Sequence, residues 1–183
     1  MNQALAVVIA SALTSFSALA SAGSLCGSQE RTLFTCKSKS KLASICASQT
    51  LSENAGYLRY VYGNDKKIEL DYPKNRSLAK ENFLWSKSWS PGVNVYLKFR
   101  VGQFKYYVYS GQGESYGDRE NPNSIYHWEY SGIAVFRNEA LLQNIKCADA
   151  NISTSEGINE IERTKIPSDD EANFNLLSKL PPP

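Results

Sequence analysis

The chain has 183 residues, of which 42 % are hydrophobic, and its formal net charge at pH 7 is +2. This length suits a single domain, and the hydrophobic fraction excludes a disordered chain. The only histidine, His127, excludes metal sites with several His ligands and leaves one candidate base for a His-dependent nucleophilic triad. The small net charge argues against a dedicated nucleic-acid-binding protein.

Residues 1–22 have the pattern of a secretory signal peptide. They contain no charged side chain, include the apolar run 4–10, and end in the small-x-small cleavage site Ala20-Ser21-Ala22. A membrane anchor is the alternative, but the apolar run is too short to span a bilayer. We therefore predict cleavage after Ala22 and an exported, periplasmic protein without a stable membrane anchor.

All four cysteines lie after the predicted cleavage site, and exported chains fold where disulfides persist. Four cysteines allow three pairings. A hairpin formed by residues 32–47 is expected to bring Cys36 opposite Cys46, which leaves Cys26 to pair with Cys147. The CxxC spacing typical of metal sites is absent, so no metal ligands are predicted.

Short β-rich runs alternate with turn signals along residues 23–148, which we predict to be one β domain. The predicted hairpins, in chain order, are 32–37 with 42–47, 57–62 with 68–72, 93–100 with 104–109, and 132–136 with 140–146. Phe83, Trp85 and Trp89 lie in a weaker candidate strand. Because no helix separates these runs, the strands should be antiparallel. The prediction is an all-β fold of eight or nine strands, either an antiparallel barrel or a small sandwich.

Residues 149–183 are predicted to be an acidic linker, up to residue 167, followed by a short C-terminal helix and tail. Ser168 to Glu171 provide a cap and an acidic first turn, and Phe174, Leu177 and Leu180 recur at helical spacing. Charge is segregated along the chain. Residues 23–105 carry 14 Lys/Arg and 6 Asp/Glu, a net +8, whereas residues 106–183 carry 6 and 12, a net −6.

One connection, Ser110 to Tyr130, is predicted to be a loop of 21 residues, a length that is usually functional or disordered. Its acidic and aromatic side chains are interleaved, namely Glu114, Asp118, Glu120 and Glu129 with Tyr116, Tyr126, Trp128 and Tyr130. This combination is typical of a surface that binds a cationic protein partner, because aromatic rings supply rigid contact area and carboxylates orient the encounter. The alternative is a solvated loop with an extra hairpin at 125–130.

The segment from Tyr106 to Cys147 resembles the periplasmic and membrane-bound inhibitors of lysozyme found in Gram-negative bacteria. The resemblance is carried by residues 110–116, 131–136 and 145–147. It implies a small exported β-barrel whose loop enters the lysozyme cleft, with contact roles for Ser110, Gly113 and Tyr116. The overall design is also similar to that of periplasmic immunity proteins, which protect a bacterium from antibacterial effectors such as those delivered by type VI secretion.

These observations predict a non-catalytic protein without a cofactor that plugs the cleft of an envelope-attacking enzyme. The predicted partner-binding residues are Ser110, Gly113, Glu114, Tyr116, Asp118 and Glu120. A hydrolase is one alternative, with His127 as base or Asp118 and Glu120 as paired carboxylates, but no GxSxG motif is present. His127 is instead expected to pack like an aromatic side chain. A small-ligand carrier is the other alternative, although a barrel of this size should have a filled interior.

Overall fold

The structure is a computed structural model that describes residues 23–89, 92–117, 121, 123–148 and 160–169. These residues form two antiparallel sheets in which each strand pairs with its neighbours in sequence. The strands of the first sheet are β1 (Glu30–Ser38), β2 (Lys41–Ser48), β3 (Leu58–Asn64) and β4 (Lys67–Tyr72). The strands of the second sheet are β5 (Leu84–Ser88), β6 (Val93–Val101), β7 (Phe104–Tyr116), β8 (Ile125–Arg137) and β9 (Ala140–Lys146). One helical turn, α1 (Ala79–Asn82), lies between the two sheets in sequence.

The predicted all-β fold is therefore confirmed, and the described strands number nine. Each predicted hairpin is present, and the weak element around Trp85 is the edge strand β5. The described strands form two separate ladders, so the arrangement fits a sandwich and a closed barrel is not confirmed. A backbone hydrogen bond joins the first sheet to the segment that follows β9. In it the Ala148 N–H donates to the Lys37 carbonyl oxygen at 3.0 Å.

Aromatic side chains pack against one another in the space between the two sheets. The Phe99 ring stands at the centre, with the ring centroids of Tyr60, Tyr72 and Tyr106 each 4.9 Å from its own. Leu58 and Ile133 are fully buried in the same core. Burial on this scale is the main stabilising contribution to a small β domain.

All four cysteines form disulfides, but the predicted pairing is wrong. The bridges join Cys26 to Cys46, with their Cα atoms 5.4 Å apart, and Cys36 to Cys147, with their Cα atoms 4.9 Å apart. The reason is strand register. Ser38 pairs with Lys41 at the turn, so Cys36 faces Ala43 and Cys46 faces Thr32. Cys46 therefore lies three residues, or about 10 Å, further along its strand.

Residues 160–169 pack on the domain, so this part of the predicted linker is not a linker. Ile161 and Ile166 are buried in the core between the sheets. Residues 167–169 lie beside β5, where the Trp85 N–H donates to the Pro167 carbonyl and the Asp169 N–H donates to the Trp85 carbonyl. Of the predicted cap and first turn of the C-terminal helix, Ser168 and Asp169 are described, and both lie beside Trp85 of β5. The rest of the predicted helix and the predicted signal peptide fall outside the described residues.

The two disulfides indicate that the protein folds in an oxidising compartment, either outside the cell or in the periplasm. In the part of the chain that the structure describes, no helix has the length and apolar character needed to cross a membrane.

Candidate functional site

The predicted 21-residue loop is in fact a long β-hairpin. β7 and β8 have 13 residues each, and their ladder runs without a bulge from Phe104↔Arg137 to Tyr116↔Ile125. The connection between the strands is therefore only residues 117–124. The polar and glycine-rich sequence of residues 110–116 suggested a loop, but these residues all take part in strand pairing.

The end of this hairpin extends beyond the sheet that carries it. β6 stops pairing with β7 at Val93↔Gln112, and β8 stops pairing with β9 at Gly132↔Lys146. From Gly113 to Tyr116, a described length of about 13 Å, β7 is paired with β8 alone. We call residues 113–116 and 125–128 the tip ribbon.

A two-stranded ribbon is marginally stable by itself, and here glycine and aromatic residues support it. Gly113 pairs with Trp128, whose ring lies so close that a Cβ on Gly113 would be 2.4 Å from the ring carbon Cζ2. The same ring carbon lies 2.8 Å from where a Cβ of Gly92 would be. Trp128 also stacks on Tyr130, with ring centroids 5.7 Å apart. Only glycine leaves room for the indole ring at positions 92 and 113. The ribbon therefore packs against Gly92, in the segment between β5 and β6.

Hydrogen bonds also order the described part of the connection at the end of the ribbon. The Gly117 N–H donates to the Ser124 carbonyl oxygen at 2.8 Å, which continues the ladder by one step. The Ser124 N–H and hydroxyl both donate to the Asn121 carbonyl oxygen, at 3.1 and 2.7 Å. The tip ribbon is thus a defined structure on which side chains are presented in fixed directions.

The two faces of the ribbon differ in chemistry, because successive residues of a strand point to opposite sides. One face carries the acidic groups, with Glu114 opposite His127 and Gln112 opposite Glu129, and the pair Tyr116 and Ile125 at its far end. The other face carries Tyr126, Trp128 and Tyr130. The prediction that His127 packs like an aromatic side chain is wrong. Its side chain is 77 % exposed, and its Nδ1 lies 3.3 Å from the Glu114 Oε1.

Large hydrophobic side chains are exposed at the far end of the ribbon. Tyr116, Ile125 and Tyr126 are 76 %, 52 % and 50 % exposed. Trp89, which is 70 % exposed, precedes the Gly92 that contacts Gly113, so it lies at the same end of the sheet. The alternative prediction placed an extra hairpin within residues 125–130, whereas these residues form one strand, and no sequence signal placed Ile125 beside Tyr116.

The predicted partner-binding residues are spread along the hairpin. Glu114 and Tyr116 lie exposed on the tip ribbon. Ser110 pairs with Ser131 and Val95 within the sheet, half-buried and about 20 Å from Tyr116 along the strand. Gly113 lies under Trp128. Asp118 and Glu120 fall outside the described residues.

Two other features bear on the alternatives. A group of three side chains with metal-ligand spacing, Cys26, Glu30 and Cys46, includes two sulfurs that are joined in a disulfide and offer no thiolate. Cavities of about 510 and 410 Å³ open at the rims of the sandwich. The larger is lined by residues that include Tyr72, Lys80 and Arg100.

Comparisons with protein-family models, with curated proteins and with solved structures found no match.

Proposed function

We propose that this protein is exported to the periplasm and inhibits an envelope-attacking enzyme by placing the tip ribbon in the enzyme's cleft. The observation that carries the proposal is the exposure of Tyr116, Ile125 and Tyr126 on a supported ribbon that extends beyond its sheet. Exposed aromatic residues on a pre-organised element are the usual anchors of protein interfaces, because little conformational entropy is lost when they bind.

The acidic face of the ribbon favours an enzyme whose cleft has a cationic rim. Glu114 and Glu129 are both exposed on this face, where they would speed and orient the encounter. Tyr116 and Ile125 form the last described pair of the ladder, so they would enter the cleft first. Ser115 is exposed on the other face, where it pairs with Tyr126, and it can donate a hydrogen bond to a carboxylate of the target.

Immunity against an antibacterial effector and defence against lysozyme are the two forms of this proposal. Both require the same mechanism, in which a rigid scaffold braced by disulfides blocks an enzyme without chemistry of its own.

The experiment is to mix the mature protein with purified lysozymes and with effectors encoded beside its gene, and to measure complex formation and residual activity. We expect one of these enzymes to form a stable 1:1 complex and to lose activity. If none of them binds, the proposal is wrong.

The cavities at the rims of the sandwich favour a second candidate, a carrier of a small ligand. The larger cavity, about 510 Å³, has the volume of a typical ligand pocket and combines aromatic with cationic side chains. Native mass spectrometry of the purified protein tests this candidate. A co-purified small molecule would support the carrier, and a mass equal to that of the chain alone would exclude it.

A further inference from the structure

The smaller cavity, of about 410 Å³, lies between the two sheets at the end of the sandwich away from the tip ribbon. Its walls come from β3 and β4 of the first sheet and from β7, β8 and β9 of the second. Phe104, which lines the cavity, begins β7, whereas Tyr116 ends the same strand about 40 Å further on. The cavity is therefore separate from the tip ribbon.

The cavity reaches from the core to the surface, and strand pairing holds its walls. Tyr60 and Ile133 form its innermost wall, at 2 % and 0 % exposure, and Leu142, at 56 % exposure, lies at its mouth. Ile133 pairs with Ile145 in the ladder of β8 and β9. Small-molecule pockets are usually pre-formed in this way and have volumes of about 300–1,000 Å³. The cavity thus has the size and the fixed walls of a site for a small ligand.

Three tyrosines line the cavity and bring their hydroxyl groups into one region. Burial raises the pKa of the Tyr60 hydroxyl above its usual value, and electrostatic interactions with Tyr62 and Tyr106 raise it further. Interactions of this kind require that the hydroxyl groups lie near one another. Burial also raises the pKa of Tyr106. Tyr60 and Tyr106 are therefore neutral phenols at pH 7, each with a proton to donate.

The Tyr60 hydroxyl has no hydrogen-bond partner among the described residues, although its side chain is buried. Packing fixes the position of its ring, because the ring centroid lies 4.9 Å from that of Phe99 and 6.2 Å from that of Tyr106. A buried hydroxyl that makes no hydrogen bond raises the free energy of the folded state. A ligand with an acceptor atom at the innermost wall of the cavity would remove this cost.

The rest of the wall favours an uncharged, apolar body. Glu69 is the only charged side chain among the described residues that line the cavity, and its Oε2 lies 2.8 Å from the Lys41 ammonium. A charged ligand would meet no unpaired counter-charge on this wall, so its desolvation would not be offset. Apart from Gln143 and the tyrosines, the other lining side chains are apolar, namely Leu70, Phe104, Ile133, Val135, Leu142 and Ile145.

We propose that this cavity binds a small, uncharged and mainly apolar molecule whose carbonyl or other acceptor oxygen takes a hydrogen bond from the Tyr60 hydroxyl. The apolar side chains of the wall bury the body of the ligand, and the Tyr60 hydroxyl gains a partner that the described residues do not supply. This inference does not depend on inhibition through the tip ribbon. It also concerns a different cavity from the larger one, whose lining includes cationic side chains.

An NMR titration of the mature protein with a model ketone tests the site. Benzophenone is the probe, and diphenylmethane, which has the same two rings but no carbonyl group, is the control ligand. We expect benzophenone to bind saturably and to shift the backbone signals of residues that line the cavity, such as Ile133, Val135 and Ile145. The absence of saturable binding, or shifts confined to the tip ribbon or to the larger cavity, would overturn the proposal.

Removal of the Tyr60 hydroxyl tests the hydrogen bond. Tyr60→Phe keeps the ring that packs on Phe99 and should weaken benzophenone binding about fivefold, the effect of one hydrogen bond, without weakening diphenylmethane binding. Tyr116→Phe, which removes an exposed hydroxyl on the tip ribbon, is the matched control and should leave both affinities unchanged. An unchanged affinity of Tyr60→Phe for benzophenone, or an equal loss for both ligands, would contradict the proposed role of Tyr60.

Discussion

Arg59 links three strands of the first sheet through two carboxylates. From β3 its guanidinium donates to Glu30 of β1 at 2.8 Å and to Asp71 of β4 at 2.9 Å. The Arg59 side chain is only 15 % exposed, so solvent screens these contacts less than at the surface. Burial opposes ionisation of Asp71, but the hydrogen bond and the charge of Arg59 outweigh it and lower the pKa of that carboxyl group.

The lowered pKa of Asp71 predicts a loss of stability in acid. A carboxyl group whose pKa is lower in the folded than in the unfolded state stabilises the fold above the unfolded value of about 3.9. That contribution is lost as the pH falls from about 4 through the folded pKa. Urea unfolding from pH 7 to pH 2 should therefore show a weaker pH dependence for Asp71→Asn than for the wild type. Asp65→Asn, in an exposed turn, is the matched control, and an equal dependence in Asp71→Asn and wild type would contradict the prediction.

At the scale of single residues, the sequence identified the chemistry of the tip better than its geometry. The interleaving of acidic and aromatic residues predicts contact roles for Glu114 and Tyr116, and both side chains are exposed. The short motif that carries the resemblance implies a contact role for Ser110, but strand pairing places Ser110 about 20 Å from Tyr116. Ile125 and Trp89 could not be recognised, because an isolated apolar residue in a sequence carries no sign of exposure.

At the scale of elements, the short hairpins could be predicted and the long one could not. Turn residues such as Gly63-Asn64-Asp65-Lys66 between alternating runs indicate a hairpin directly. In β7, Gly111 and Gly113 resemble loop glycines, yet each lies beneath an aromatic ring of β8. The sequence feature that identifies the long hairpin is thus the pairing of a glycine on one strand with an aromatic residue on the other. It becomes visible only when the register is known.

This pairing predicts that Gly113→Ala damages the tip ribbon. The new Cβ would lie 2.4 Å from a ring carbon of Trp128 and 2.9 Å from the Gly92 Cα, so the indole ring or the backbone must move. We expect a loss of about 1–3 kcal/mol in the free energy of unfolding, the usual range for overpacking. Chemical denaturation measures this loss.

Gly27→Ala is the matched control for Gly113→Ala. Its Cβ would meet only the Glu30 side chain, at an ordinary 3.4 Å or more. The control should leave stability close to that of the wild type. Equal stability of the Gly113→Ala and Gly27→Ala proteins would show that the indole ring does not pack on the backbone as described.

At the scale of the whole molecule, the two disulfides close loops of very different length. Cys26 and Cys46 are 20 residues apart in sequence, whereas Cys36 and Cys147 are 111 residues apart. The first bridge fixes the N-terminal segment to β2, and the second joins the first sheet to the end of the second. The pairing could not be predicted from spacing alone, because it depends on the register of β1 with β2 and on how the sheets meet.

The loop lengths predict unequal losses of stability when each bridge is removed. Chain entropy gives about 3 kcal/mol for the 20-residue loop and about 5 kcal/mol for the 111-residue loop. The paired variant Cys36→Ala with Cys147→Ala should therefore unfold at lower denaturant concentration than Cys26→Ala with Cys46→Ala. The reverse order would show that unfolded-state entropy does not govern the contribution of these bridges.

The affinity of tip variants for the inhibited enzyme measures whether the tip ribbon forms the contact. Tyr116→Ala and Tyr126→Ala should each weaken the complex by about 1–3 kcal/mol in isothermal calorimetry, as expected for interface anchors. Ile68→Ala and Leu142→Ala remove hydrophobic side chains that are exposed on β4 and β9, at 45 % and 56 %, and should leave the affinity unchanged. Unchanged affinity in both tip variants would contradict binding through the tip ribbon, and so would a larger loss in either control than in the tip variants.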